Sequence, residues 1–288
     1  MGDSVSEQST RRERAVAAAA EVAGRYGLAG LQPVVLQDWN NTIVRLAPAP
    51  LVAKVSTSPL GQSGSRKLGR EVAVAEHLYS AGAPVVSPAR DLPPGPHEAA
   101  GLTLSLWELC RHDPETAVDE RGAAEALKSV LAALATYRGE LPVFTDQLEE
   151  VGAVLADPSR LPQLAEDDRA FLIQAYGELS GTLAGRRWDE RPLHGEAHLG
   201  NVLATPSGLR WLDFESTCRG PVEWDLSALP QAAVCVFAGV DPEALSQLRR
   251  ARSLCVAIWC WFQPDRAPEV REAAELHLRR LRAGTTGS

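Results

Sequence analysis

His194-Gly-Glu196-Ala-His198-Leu-Gly-Asn201, then Trp211-Leu-Asp213-Phe-Glu215, then Gly220-Pro-Val-Glu-Trp224-Asp225, is the stretch that decides how this chain reads. It sets a carboxylate at 196, an amide five residues later at 201, and a second carboxylate twelve residues after that at 213. Those groups suit phosphoryl transfer. One acid can take the proton of an attacking hydroxyl, while the amide and the second acid are hard oxygen donors able to hold magnesium against nucleotide phosphates. Two other readings of the histidines fail. A zincin needs H-E-x-x-H, and the acid here is not in the second place. A deaminase H-x-E needs a following P-C-x-x-C, and there is none.

Working outward, residues 11–26 read as a helix broken by Gly27 and Gly30. Three short β-rich runs follow: Val34 to Leu36, Thr42 to Leu46 and Leu51 to Val55. A turn-like Asp38-Trp39-Asn40-Asn41 and the Pro48/Pro50 pair separate them, so an antiparallel meander is expected. Leu68, Val72, Ala75, Leu78 and Tyr79 recur at helical spacing over 66–81, up to Gly82. An extended piece lies between Pro84 and Pro88, and Leu102 to Trp107 reads as a further strand. Beyond Cys110 the pattern turns helical, with helices expected over about 119–138, 143–155, 165–185, 242–262 and 268–282. Strands with one helix come first and helices with a β-rich insert come second, which predicts an α+β fold in two lobes.

The bulk numbers narrow the function classes. The chain has 288 residues, 45% of them hydrophobic, enough for a real core. Residues 1–100 carry 10 Lys and Arg against 9 Asp and Glu, leaving 19 against 28 in the remainder. An acidic second half lacks the basic footprint of a nucleic-acid binder. It suits a cationic substrate, or solubility alone. The five cysteines, Cys110, Cys218, Cys235, Cys255 and Cys260, are odd in number and contain no C-x-x-C pair. Buried packing thiols and a reducing, cytoplasmic compartment are therefore expected, rather than a disulfide framework or a zinc knuckle. No apolar run is long enough to span a membrane, and the alanine run after Arg11-Arg12-Glu13-Arg14 is interrupted by Glu21.

The 194–225 stretch resembles the aminoglycoside phosphotransferase family, which includes choline kinase-like members of the protein-kinase-like superfamily. Its motif is H-G-D-x-H-x-x-N, followed by I/W-D-x-E/D and then W-D. Glu196 stands where that motif has Asp. The resemblance implies a bilobal protein-kinase-like fold. A small N-terminal lobe of antiparallel sheet plus helix would span 11–107, and a larger, mostly helical lobe 108–283. Tails at 1–10 and 284–288 are expected to be disordered.

The resemblance also implies roles. Lys54, in Val52-Ala53-Lys54-Val55, would bind the α- and β-phosphates and pair with a helix glutamate. Read alone, it is more simply a lysine that guards an edge strand. Glu71 and Glu76 both lie on the next helix. Glu71 is chosen, because it falls on the apolar stripe and its setting Arg70-Glu71 resembles the family's R-E stretch. Asn40, Asn41 and Thr42 stand where a glycine-rich phosphate turn is expected. Asn tolerates left-handed backbone, so the segment reads as either that turn or a plain hairpin. Leu104 to Cys110 would be the inter-lobe hinge, with Glu108 and Cys110 near the base. Glu196 would be the catalytic base, and Asn201 and Asp213 the Mg²⁺ ligands. Glu215 is a candidate for a further contact to metal or substrate. His194 would hold the loop, His198 would touch phosphate or pack, and Asp225 would brace the loop.

The function implied is an ATP- or GTP-dependent, Mg²⁺-requiring kinase of a small-molecule hydroxyl. The acceptor classes are an aminoglycoside-like antibiotic, whose phosphorylation would confer resistance, an amino sugar or an amino alcohol. Nucleic acid and membranes are not expected as partners, and the sequence does not indicate an oligomeric state. Two alternatives are a kinase of Ser or Thr in a small peptide and a catalytically weak nucleotide-binding module acting through a partner. Glu196 and the glycine-free turn motivate the second.

Overall fold

The computed structural model describes residues 2–39, 41–57, 63–262 and 264–285. The chain opens with α1 (Gly2–Arg25), β1 (Gln32–Asp38), β2 (Asn41–Ala47), β3 (Leu51–Ser56) and α2 (Ser63–Ser80). Next come β4 (His97–Ala99), β5 (Leu102–Glu108), α3 (Glu120–Leu134), α4 (Thr145–Leu155) and α5 (Glu166–Ala184). Then follow β6 (Arg191–Leu193), β7 (Val202–Thr205), β8 (Gly208–Trp211), β9 (Cys218–Gly220), α6 (Val222–Leu226) and α7 (Gln231–Val234). Two long helices end the fold, α8 (Pro242–Phe262) and α9 (Pro268–Thr285). The expected α+β class is what forms.

The elements gather into two compact units, Met1–Arg138 with His198–Thr217, and Gly139–Ala197 with Cys218–Ser288. In the first unit the five strands form one antiparallel sheet in the order β1-β2-β3-β5-β4. Strand alternation divides its residues between two faces. Val44, Leu46, Ala53, Val55, Leu104 and Leu106 point to one face, where Ala15, Ala18, Ala19, Val22 and Ala23 of α1 cover them. Small side chains at helical spacing let α1 lie close on the sheet, and each buried leucine there contributes roughly 1.5–3 kcal/mol. Lys54 is paired across the sheet with Ser105, and Val52 with Trp107, so these four share the opposite face.

Several expectations need correction. The first helix starts at Gly2 rather than 11, so residues 2–10 of the segment expected to be a disordered tail are helical. After Gly2 no glycine or proline interrupts the chain before Gly24, and Ser9 bonds Glu13 one turn on. Tyr79 is not on the packed stripe of α2. It is exposed, and its hydroxyl meets Arg90, while Leu68, Val72, Ala75 and Leu78 are buried as spaced. Of the cysteines, Cys218 and Cys255 are buried, whereas Cys235 is exposed. All five are free. Asn40 lies outside the described residues, and so does the end of the expected C-terminal tail, 286–288. Among the described residues no helix is long and apolar enough to cross a membrane.

The second unit is built on α4, α5, α8 and α9, with the short β6–β9 ladder at residues 191–193 and 218–220. Phe144 and Trp224 are fully buried here, ring to ring at 5.5 Å. A Cβ added to Gly220 would fall 2.8 Å from Cδ1 of Phe144. The glycine lets the end of β9 pass against that ring.

Candidate active site

Within the first unit, Lys54 is the hub. It sits on β3, and alternation turns it away from α1 toward α2 and the β7–β8 hairpin. Its Nζ lies 2.9 Å from Glu71, 2.8 Å from Asp213 and 3.0 Å from Glu215. Glu71 is buried on α2, whereas Glu76 is exposed. The helical stripe thus turns Glu71, and not Glu76, toward the sheet.

Asp213 and Glu215 arrive by way of the hairpin. Val202 pairs with Trp211 and Thr205 with Gly208, so the two strands return the chain to its start. The N–H of Leu212 donates to the carbonyl of Asn201 at 3.1 Å. The twelve-residue spacing from Asn201 to Asp213 is therefore the length of one short hairpin. Asp213 adopts φ +67, a left-handed conformation that Asp tolerates better than most residues and that recurs at functional sites. Trp211, fully buried, anchors the hairpin by donating from Nε1 to Ala123 of α3.

Neighbouring side chains complete the cluster. Asn41 donates from Nδ2 to Glu215 at 3.0 Å, and Arg70 donates to the Glu215 carbonyl. The electrostatics follow from three acids around one base. Burial works against the charge on Lys54, but Asp213, Glu215 and Glu71 outweigh it and hold its pKa well above the ordinary lysine value. Burial pushes the Glu71 carboxyl up. Lys54 opposes that shift, and the charges of Asp213 and Glu215 add to it. A proton forced back onto this cluster therefore goes to a carboxylate, and Lys54 stays an ammonium. Carboxylate oxygens of Glu71, Asp213 and Glu215 lie within 4.8 Å of one another, a spacing that can hold a metal ion. A single lysine leaves an excess of negative charge that a divalent cation fits, and the donors are hard oxygens of the kind Mg²⁺ prefers. Asn201, buried at the mouth of the hairpin, adds an amide of the same type.

The other expected nucleotide residues are placed differently. Thr42 is fully buried. Its hydroxyl donates to Asp38 at 2.8 Å and lies 3.0 Å from that of Thr57, so the side chain points into the fold. Glu108 ends β5, accepts from the N–H of Arg90 and donates its own N–H to Ser87. Cys110 is half-buried, and burial raises its thiol pKa. His198 is exposed, with its ring over Gly200, where an added Cβ would come within 2.9 Å of Nδ1.

The motif is split between the units: residues 194–197 belong to the second and 198–201 to the first. In the second unit Asp225, fully buried on α6, accepts the N–H of His194 at 2.9 Å and of Gly195 at 2.8 Å. Gly195 has φ +89, which a side chain would resist, and this turn lets both N–H groups face one carboxylate. Burial raises the Asp225 pKa to about 6 against those two bonds and the charge of Arg252. His194 is buried, and its Nδ1 accepts the N–H of Glu196 at 3.3 Å. Glu196 itself is half-buried.

Sequence reasoning missed Arg252. This buried guanidinium donates to the Trp224 carbonyl at 3.1 Å and lies 3.7 Å from the centroid of that ring. Burial lowers its pKa, and the charges of Glu196, Cys255 and Asp225 oppose that. A signal existed: Arg252 sits among Leu248, Ala251, Cys255 and Ile258 on the buried stripe of α8, where a charge needs a partner.

The APH family, a phosphotransferase enzyme family, matches residues 33–278, and the chain belongs to it. It is a small-molecule kinase, a phosphotransferase with an alcohol group as acceptor. Among similar solved structures, APH(2")-IIia in complex with GDP and kanamycin superposes with a TM-score of 0.66 at 14% identity, covering 93% of this chain and 97% of the other. Choline kinase LicA from Streptococcus pneumoniae gives 0.66 at 15%, covering 93% and 99%. Amicoumacin kinase hAmiN, in complex with AMP-PNP, Ca²⁺ and Ami, gives 0.63 at 13%, covering 86% and 88%. These likenesses establish the bilobal kinase-like fold. No curated protein matches significantly by sequence.

Proposed function

We propose that this kinase moves the γ-phosphoryl group of ATP or GTP to a hydroxyl of a small cationic molecule, such as an aminoglycoside-like antibiotic, an amino sugar or an amino alcohol. The observation that carries the reading is Lys54, held at once by Glu71 from α2 and Asp213 from the hairpin end. An ammonium fixed in that way can meet the α- and β-phosphates without reorganising, and positioning plus charge is most of what this reaction needs. Asn201 and Asp213 would hold Mg²⁺, which when bound would neutralise phosphate oxygens. Glu215 tethers Asn41 and shares Lys54, so it tunes the cluster rather than acting alone. Glu196 would accept the acceptor's proton, on a loop fixed by Asp225 and His194. The acidic second half and the bound kanamycin of one structural relative support a cationic acceptor. Five free thiols fit a reducing, cytoplasmic setting.

The test is a nucleoside-diphosphate release assay with MgATP and with MgGTP over aminoglycosides, amino sugars and amino alcohols. Turnover with one class supports the reading and names the acceptor. No release with any acceptor, from a protein that still binds nucleotide, would favour the alternative of a binding module, which the glutamate at 196 motivates.

A further inference from the structure

Asp38 ends β1 and is 6% exposed. Two arginines of α1, 27 and 26 residues earlier in the chain, reach it. Arg11 donates from Nη2 at 2.8 Å and Arg12 from Nε at 3.0 Å, while Thr42 donates from its hydroxyl at 2.8 Å. Burial alone would raise this carboxyl, but those three donors hold its pKa down to about 2. Asp38 pairs in register with Thr42, so this is the last rung of the β1–β2 ladder before the turn. Asn41 comes next to that rung and donates to Glu215, which in turn meets Lys54. A continuous line of bonds therefore runs from α1 to the phosphate-binding lysine. Glycine-rich turns reach phosphates by backbone freedom, and this turn has no glycine.

We propose that Arg11 and Arg12 are positioning residues that, through Asp38, preset the rung formed with Thr42 and with it Asn41 for contact with the nucleotide's phosphates. Preorganisation replaces the flexibility that glycine would give, and α1 becomes part of the nucleotide site although it touches no nucleotide. The proposal rests on the kinase reading above.

The test measures calorimetric affinities of the full-length protein for MgATP and MgGTP, and for adenosine and guanosine, which carry no phosphate. In the double variant Arg11→Gln/Arg12→Gln, affinity for the bound triphosphate is expected to fall roughly five- to tenfold, the scale of one lost charge-assisted contact. Affinity for the matching nucleoside should stay within about twofold. Asp38→Asn, a second route to the same break, should behave alike. Equal losses for nucleoside and triphosphate would make the clamp merely structural and overturn the proposal, as would unchanged triphosphate affinity in both variants. A wild type that binds neither triphosphate would overturn the kinase reading itself, and this proposal with it.

Discussion

Lys54 and Asp213 stand 159 positions apart in the chain and 2.8 Å apart in space. Glu71 meets the same ammonium at 2.9 Å, on a buried side. Removing the cation leaves Glu71, Asp213 and Glu215 facing one another. Lys54→Met, which keeps the apolar stem, is expected to lower turnover by about 10²–10³-fold, the cost typical of losing one positioned donor. It should also lower stability by about 3–5 kcal/mol, because a buried charge loses its partner. That loss should be smaller at pH 5 than at pH 8, since burial already pushes the Glu71 carboxyl up and it can then take up a proton. Denaturant titrations at the two pH values check this, and equal losses would contradict the buried cluster.

Asp225 gives a pH dependence of definite sign. Its carboxyl is raised in the folded state, from 3.8 to about 6, so the native protein binds the proton more tightly than the unfolded chain does. The contribution is greatest below the unfolded value and is lost as pH rises through about 6. Two pH units correspond to about 3 kcal/mol. Wild-type stability relative to Asp225→Asn should therefore shrink between pH 4 and pH 6 and stay level above that. Urea midpoints across this window are the measurement. A difference that grows with pH would mean that the two N–H bonds from His194 and Gly195 outweigh burial.

Glu196 decides what the longer acid does. Glu196→Gln keeps size and most hydrogen bonding but loses the proton acceptor. Turnover with the acceptor found by screening should fall by about 10²–10⁴-fold, less if the transition state is loose and needs little base help. Nucleotide affinity should not move. Glu196→Asp should also lose turnover, if the loop fixed by Asp225 is set for the longer arm. Full activity in the Gln variant would remove Glu196 from the chemistry.

The legible parts of this fold were those with local signals. β-branched runs between turn residues marked β1, β2, β3 and β5, and the stripe Leu68, Val72, Ala75 and Leu78 chose Glu71 over Glu76. The spacing from Asn201 to Asp213 read as chemistry, and the hairpin gives it a physical cause. What stayed hidden depends on distant partners. The ladder of Arg191–Leu193 with Cys218–Gly220 is three residues long and has no pattern of its own. Thr42 is the local exception: its partner Asp38 is four residues away, but only the β1–β2 register turns the hydroxyl onto it. Arg11 and Arg12 stood out only as charges ahead of an alanine run, because their partner Asp38 lies on another element.

The central claim is that the Lys54–Asp213 end of the hairpin is a metal-dependent nucleotide site, and it can be tested without knowing the acceptor. Calorimetric titration with ATP and GTP, each with and without Mg²⁺, should show binding of one or both that tightens with the metal in wild type. Asp213→Ala should lose most of that metal-dependent gain while remaining folded. Equal affinity with and without Mg²⁺ in the wild type, or an Asp213→Ala variant with an undiminished Mg²⁺ effect, would contradict the account.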